Sequence, residues 1–176
     1  ELWMSDGTSA GTVLVKDIEA GSEGNLSKYT AFTDVDGVLF FSATDGVNGR
    51  ELWKSDGTAA GTVMVKDIDT GDDSYYGTPN NSYPFYMQNV NGTLYFSAFS
   101  ESLGRELWRS YGTAAGTVLV ADAVSGSSGM YPNSLETVHG TLLMSGYSGD
   151  YRQLWMLPLE GEGTIGTGTG TASLTI

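Results

Sequence analysis

The sequence predicts an all-β fold built from antiparallel, four-stranded units, and three observations support this prediction. An eight-residue block recurs along the 176-residue chain. A hairpin signal lies between successive blocks, and no stretch of useful length has the apolar periodicity of a helix. The composition agrees, because 25 glycines and only 4 prolines suit many short strands joined by tight turns.

The repeated block reads Glu-Leu-Trp-x-Ser-Asp-Gly-Thr in its first two copies, which begin at Glu1 and Glu51. A third copy begins at Glu106 and has Tyr111 in place of the turn aspartate, and a worn fourth copy begins at Gln153. The first three copies continue into Ala-Gly-Thr-Val and a short apolar run. A period of about 50 residues is typical of a tandem array of supersecondary units.

A second motif lies between the blocks, where Asp36, Asn91 and His139 are each followed by glycine and flanked by apolar runs. Asp-Gly and Asn-Gly are strong hairpin signals, because both residues adopt positive φ. His139 aligns with them, so we interpret it as a turn residue and not as a catalytic group or a ligand. Each unit therefore has four strands, which in the middle copy are predicted at 86–90, 93–98, 106–110 and 117–122.

The second strand of each unit is apolar on both faces, since Leu39 and Phe41 lie on one face and Phe40 on the other. Such a strand needs cover on both sides, as in a sheet stacked between two like sheets. The units are therefore predicted to be blades of a β-propeller. One tryptophan keeps a fixed register in every unit and is predicted to pack between blades; stacking on a sugar is the alternative. These residues are Trp3, Trp53, Trp108 and Trp155.

The block resembles the bacterial ELWxxDGT repeat, which occurs in tandem in large secreted or surface proteins and is expected to form β-propeller blades. The match covers residues 1–157 and rests on three near-identical blocks. The resemblance implies the fold and an extracellular or cell-surface location in a bacterium. It implies no established activity.

Residues 1–159 hold about three and a half repeats, whereas a propeller closes with roughly 4–8 blades. We therefore expect a partial propeller, completed by the remaining blades of a longer parent chain or by a second copy of this chain. An arginine precedes each later block but is missing before Glu1, which favours the longer parent. The Gly/Thr-rich residues 160–171 are predicted to be a linker, and 172–176 a terminal strand.

The net charge of −13 argues against nucleic acid and anionic membranes as partners, because like charges repel. No apolar run is long enough for membrane insertion, and the absence of cysteine excludes thiolate metal sites. Four clustered aspartates form a candidate Ca²⁺ site, since Ca²⁺ prefers carboxylate oxygens; a solvated loop is the alternative. These residues are Asp67, Asp69, Asp72 and Asp73.

An insertion between the second and third blocks supplies the candidate ligand-binding residues, whose mixture of tyrosine and asparagine suits a glycan or a surface protein. They are Tyr75, Tyr76, Asn80, Asn81 and Tyr83. No catalytic constellation stands out, so the sequence favours a non-enzymatic interaction or scaffold module. The alternatives are a carbohydrate-binding, lectin-like propeller and a glycan-active hydrolase that uses paired carboxylates.

Overall fold

The computed structural model describes residues 1–21, 31–71, 77–159, 164–167 and 170–175, the last two ranges by their backbone alone. Every regular element in these ranges is a strand, so the all-β prediction is confirmed. Within the same ranges, no helix is long and apolar enough to cross a membrane.

The strands form four antiparallel sheets, and every pair of hydrogen-bonded neighbours is consecutive along the chain. The first sheet contains β1 (Leu2–Met4) and β2 (Val13–Lys16). The second contains β3 (Thr33–Val35), β4 (Val38–Thr44), β5 (Arg50–Ser55) and β6 (Val63–Lys66). The third contains β7 (Phe85–Val90), β8 (Thr93–Ser100), β9 (Gly104–Ser110) and β10 (Thr117–Ala121). The fourth contains β11 (Asn133–Val138), β12 (Thr141–Ser148), β13 (Tyr151–Pro158), β14 (Thr164–Thr167) and β15 (Gly170–Thr175).

The strands β7 to β10 begin and end within two residues of the predicted bounds. The hairpin between the first two strands of each complete sheet also follows the prediction. Asp36, Asn91 and His139 have φ values of 52°, 50° and 48°, the left-handed conformation that a two-residue hairpin turn requires. The interpretation of His139 as a turn residue is therefore confirmed.

The Leu-Trp part of the repeated block lies in one strand of each sheet, which we call the motif strand. The Ser-Asp-Gly-Thr part of the block forms the turn that follows this strand. Asp56 Oδ1 accepts hydrogen bonds from the Thr58 amide at 2.9 Å and the Thr58 hydroxyl at 2.7 Å, and these bonds lower the pKa of Asp56. A Cβ on Gly61 would lie 2.0 Å from that same oxygen. The glycine of Ala-Gly-Thr is therefore required by the aspartate that it faces.

Successive sheets stack face to face through one repeated contact. The leucine and the tryptophan of the repeated block, here called the motif leucine and the motif tryptophan, lie on opposite sides of each sheet. We call the side that carries the motif tryptophan the Trp face, and the side that carries the motif leucine the Leu face. The Trp face packs on the preceding sheet and the Leu face on the following one. For example, Leu52 lies in one apolar cluster with Phe96 and Trp108 of the third sheet, whereas Trp53 clusters with Leu2 of the first.

At each end of the stack, one sheet face is left without a neighbouring sheet by the part of the chain that the structure describes. The motif tryptophan is 6%, 7% and 2% exposed in the second, third and fourth sheets, but Trp3 of the first sheet is 55% exposed. The motif leucine is fully buried in the second and third sheets, but Leu154 of the fourth is 51% exposed. Three of the four tryptophans therefore pack between sheets, whereas the Trp face that carries Trp3 has no neighbouring sheet among the described residues.

The sheets come closest together at their first strands. The strand β7 lies beside β3 on one side and β11 on the other, and the Asn89 side-chain amide donates to the Asp34 carbonyl at 3.0 Å. A second link between neighbouring sheets is made by lysines. Lys16 Nζ and Lys66 Nζ each donate to the threonine carbonyl of the Ala-Gly-Thr segment in the next sheet, at 2.7 and 2.8 Å. The first-strand edges therefore converge, and the geometry of one contact recurs in the next.

The C-terminal segment departs from the linker prediction for 160–171. Within it, Thr164–Thr167 forms a strand that pairs with β13 and with Gly170–Thr175. β-branched threonine favours extended backbone, and the edge of β13 supplies unpaired backbone groups, so a Gly/Thr segment is recruited into the sheet. The terminal strand predicted at 172–176 therefore begins two residues earlier, at Gly170.

Candidate binding cleft

The glutamate of the motif holds the connection between successive sheets. The Glu51 carboxylate accepts hydrogen bonds from the Ile68 amide, which leaves the second sheet, and from the Ser82 amide, which enters the third, both at 2.9 Å. Glu106 repeats this arrangement with the Ala123 amide at 3.3 Å and the Met130 amide at 2.7 Å. Each buried carboxylate thereby ties the chain that leaves one sheet to the chain that enters the next.

Burial decides the ionisation of these two carboxyl groups. Both side chains are fully buried, and loss of hydration raises the pKa of Glu51 and of Glu106 to about 7, against the opposing effect of their hydrogen bonds. Sequence reasoning assigned no role to either residue. The available signal was a glutamate repeated directly before Leu-Trp in three blocks, with Gln153 in its place in the fourth sheet.

The connection places one exposed tyrosine at the start of each following sheet. The Tyr83 amide donates to the Arg50 carbonyl at 3.1 Å, and the Tyr131 amide donates to the Arg105 carbonyl at 2.8 Å. Both tyrosines have positive φ, 44° and 52°, a conformation that non-glycine residues rarely adopt and that clusters at functional sites. Two tyrosines are therefore held at equivalent positions, with their rings partly open to solvent.

Arginines accompany these tyrosines. Arg105 donates from Nη1 to the Tyr83 carbonyl at 2.8 Å, and its guanidinium lies 5.6 Å from the centre of the Phe85 ring. Arg152 lies 4.6 Å from the ring centre of Tyr147. The Tyr147 ring meets Tyr131 edge to face at 6.3 Å. We call this surface the aromatic–arginine cleft and define it by Tyr83, Tyr86, Arg105, Tyr131, Tyr147 and Arg152.

Three adjoining cavities of about 370, 220 and 590 Å³ lie along the cleft. Tyr131 lines all three, Arg105 lines the first and second, and Arg152 lines the second and third. The middle cavity is thus lined by two arginines, and no acidic residue is among those that line it in the described part of the chain. The cleft follows the same end of the third and fourth sheets.

The predicted ligand residues are brought only partly into this cleft. Asn80, Asn81 and Tyr83 line the cavity of 370 Å³, although Asn81 Oδ1 also accepts from the Arg50 amide at 2.8 Å and so helps to hold the connection. Tyr75 and Tyr76 lie outside the described residues. Sequence reasoning missed the cleft's other members, although an arginine before three of the blocks was visible.

The predicted Ca²⁺ cluster is also only partly described. Asp69 Oδ1 accepts from the Glu101 amide at 2.9 Å, and burial raises the pKa of Asp67 and of Asp69. Asp72 and Asp73 lie outside the described residues. Among the residues that are described, no group of three or more His, Cys, Asp or Glu side chains is arranged to hold a metal ion, so calcium binding stays a prediction.

The arrangement of the cleft suits binding. Exposed rings offer flat apolar faces, and the arginines offer charged hydrogen-bond donors. General acid–base hydrolysis would need two carboxyl groups facing one substrate bond. No such pair lines the three cavities in the described part of the chain.

Comparison of the chain with protein-family models, with curated proteins and with solved structures found no match.

Proposed function

We propose that the four sheets are consecutive blades of a β-propeller and that the chain is a non-enzymatic interaction or scaffold module, extracellular or on a bacterial cell surface. The observation that supports this most is the contact of a Trp face with a Leu face, which occurs three times in succession. Convergence of β3, β7 and β11 is what blades arranged around an axis require. The resemblance to the ELWxxDGT repeat supports the proposed location.

The two open faces support a partner built from the same repeat. The Trp face of the first sheet and the Leu face of the fourth are the two halves of the contact that is made three times inside the chain. A sheet of the same repeat therefore fits each end, because it offers the complementary half. We favour further blades of a longer parent chain as that partner, with a second copy of this chain as the alternative.

Association of the 176-residue chain tests this assignment. We expect static light scattering to show concentration-dependent association, and we expect Trp3→Ser and Leu154→Ser each to weaken it, because each removes one half of the contact. Tyr111→Ser is the matched control, since Tyr111 is as exposed as Trp3 but lies at neither end face. A chain that stays monomeric at high concentration, or that associates equally well in all three variants, would contradict the proposal.

Carbohydrate binding is the second candidate function, and the exposed tyrosines of the aromatic–arginine cleft favour it. Tyrosine supplies a rigid, amphipathic contact surface at low conformational cost. Binding on a glycan array that is lost in Tyr131→Ala and kept in Tyr111→Ala would support this function. Binding that survives in Tyr131→Ala would place any sugar outside the cleft.

A further inference from the structure

Within the described residues, Arg105 and Arg152 of the cleft have no acidic partner, although the chain is rich in acids. The sequence has 21 acidic and 8 basic residues, so ion pairs for every arginine would be easy to supply. Nevertheless, the hydrogen bonds of Arg105 go to the Tyr83 carbonyl and the Ser97 hydroxyl, and that of Arg152 goes to the Ser145 hydroxyl. Among the described residues, neither guanidinium forms a salt bridge with a carboxylate.

This pair of charges is suited to a carboxylate ligand. Arginine carries five N–H donors in a planar fork that matches a carboxylate, and Nη1 is the atom that each residue uses in those bonds. Within the described residues the other donors of both side chains make no further hydrogen bond, and both residues line the middle cavity. A cavity of about 220 Å³ that is lined by two arginines is therefore suited to a small anionic group.

The flanking cavities have the opposite preference. Asp69 lines the cavity of 370 Å³ and Asp150 lines the cavity of 590 Å³, so a second anionic group on either side would be repelled. Tyr83 and Tyr131 line the first of these, and Tyr131 and Tyr147 line the second. Ring faces with polar neighbours suit the uncharged, partly apolar faces of neutral sugars.

We propose that the aromatic–arginine cleft binds a glycan in which a uronic acid is flanked by neutral sugars, with the uronate carboxylate held between Arg105 and Arg152. This proposal rests on the carbohydrate-binding function above and is independent of the assembly of the sheets. Three adjoining cavities in a row fit three consecutive sugar units, and the order neutral, acidic, neutral follows from the order of charges along the cleft.

Calorimetric titration of the 176-residue chain with two probes tests the charge preference. The probes are hexasaccharides of hyaluronan and of unsulfated chondroitin, in which glucuronate alternates with a neutral amino sugar through different linkages. The matched ligands are the same oligosaccharides with each carboxyl group reduced to an alcohol. We expect at least one acidic probe to bind about tenfold or more tightly than its reduced form, because charge-assisted hydrogen bonds are lost.

Two variants connect the preference to the cleft. Arg152→Gln should weaken binding of the acidic probe about tenfold and leave the reduced form unchanged. Arg109→Gln makes the same charge change outside the cleft, near the end of β9, and should have little effect. Tyr131→Ala should weaken both forms, and thermal melts confirm that each variant is folded.

The outcomes separate the two levels of the proposal. Equal affinity for the acidic and reduced forms would overturn the uronate preference and leave carbohydrate binding standing. If neither acidic probe binds while a neutral glycan binds through Tyr131, the uronate preference is likewise overturned and carbohydrate binding still stands. No binding of any glycan would overturn both, and equal losses in Arg152→Gln and Arg109→Gln would show a general effect of net charge.

Discussion

The inner and outer sheets of this molecule use the same motif residues in different environments. In the second and third sheets the motif tryptophan and leucine are both buried between neighbours, whereas Trp3 and Leu154 lie on open faces at the two ends. The residue type is identical and only the neighbouring sheet differs. The motif therefore specifies a contact between sheets, and a position becomes part of a core only when the neighbouring sheet is present.

The largest expected difference is between removal of the motif tryptophan from an inner sheet and its removal from an outer sheet. Trp53→Ala should lower the free energy of unfolding by about 3–5 kcal/mol, because it deletes a large ring from a packed contact. Trp3→Ala should change it by no more than about 0.5 kcal/mol at dilute concentration, as for an exposed side chain. Urea denaturation measures both. Equal losses would mean that the Trp face of the first sheet is covered by something else.

The opposite faces give the second comparison. Leu107→Ala should cost about 2–5 kcal/mol of unfolding free energy, since Leu107 is fully buried between the third and fourth sheets. Leu154→Ala should be nearly neutral under the same dilute conditions. A large loss in Leu154→Ala would show that the Leu face of the fourth sheet is covered by something else.

A pH series tests the connections between the inner sheets. Glutamate has a pKa of 4.5 when unperturbed and about 7 at Glu51 and Glu106, so the folded protein binds these protons more tightly than the unfolded chain does. Their favourable contribution is complete below pH 4.5 and is lost as the pH rises through 7. We therefore expect the melting temperature to fall between pH 5 and pH 8.

Glu106→Gln isolates this contribution from general repulsion among the acidic groups. The variant copies Gln153 and removes one titrating group, so its melting temperature should fall less steeply with pH. Glu136→Gln, on the exposed surface of β11, is the control and should keep the original slope. Parallel curves for all three proteins would show that the buried carboxyl group does not titrate in this range.

The smallest expected effect is at the turn that follows the motif strand. Asp56 binds the Thr58 amide and hydroxyl, whereas the third sheet has Tyr111 at this position beside Thr113. Tyr111→Asp should restore these bonds and raise the melting temperature by about 1–2 °C. Tyr111→Ala separates loss of the ring from gain of the bonds, and a rise of the same size there would attribute the effect to the ring.

Local features of the fold were predictable from sequence because they repeat within a few residues. The Asp-Gly and Asn-Gly turns fix the hairpins, and alternation along β4 and β8 reveals two buried faces. The role of Glu106 was not predictable, because its partners Ala123 and Met130 lie at the two ends of a long connection. The cleft was missed for the same reason, since Arg105, Tyr131 and Arg152 meet only when sheets stack.

The strand at Thr164–Thr167 shows a different limit. Alternating glycine and threonine has no apolar face, so the sequence alone reads as a linker. The strand forms by pairing with β13, which depends on an available edge and not on burial of its side chains. Composition is therefore a poor guide where backbone pairing alone recruits a segment.

The contact between a Trp face and a Leu face joins two unlike surfaces, and this restricts the symmetry of any assembly. A two-fold axis requires one surface to pair with itself, so it cannot relate copies joined through this contact. Copies can add only head to tail, with the same rotation at each step. If the rotations sum to a full turn the assembly closes into a ring, and otherwise it grows as a helical fibre. The twist between neighbouring sheets therefore decides between a finite particle and a polymer.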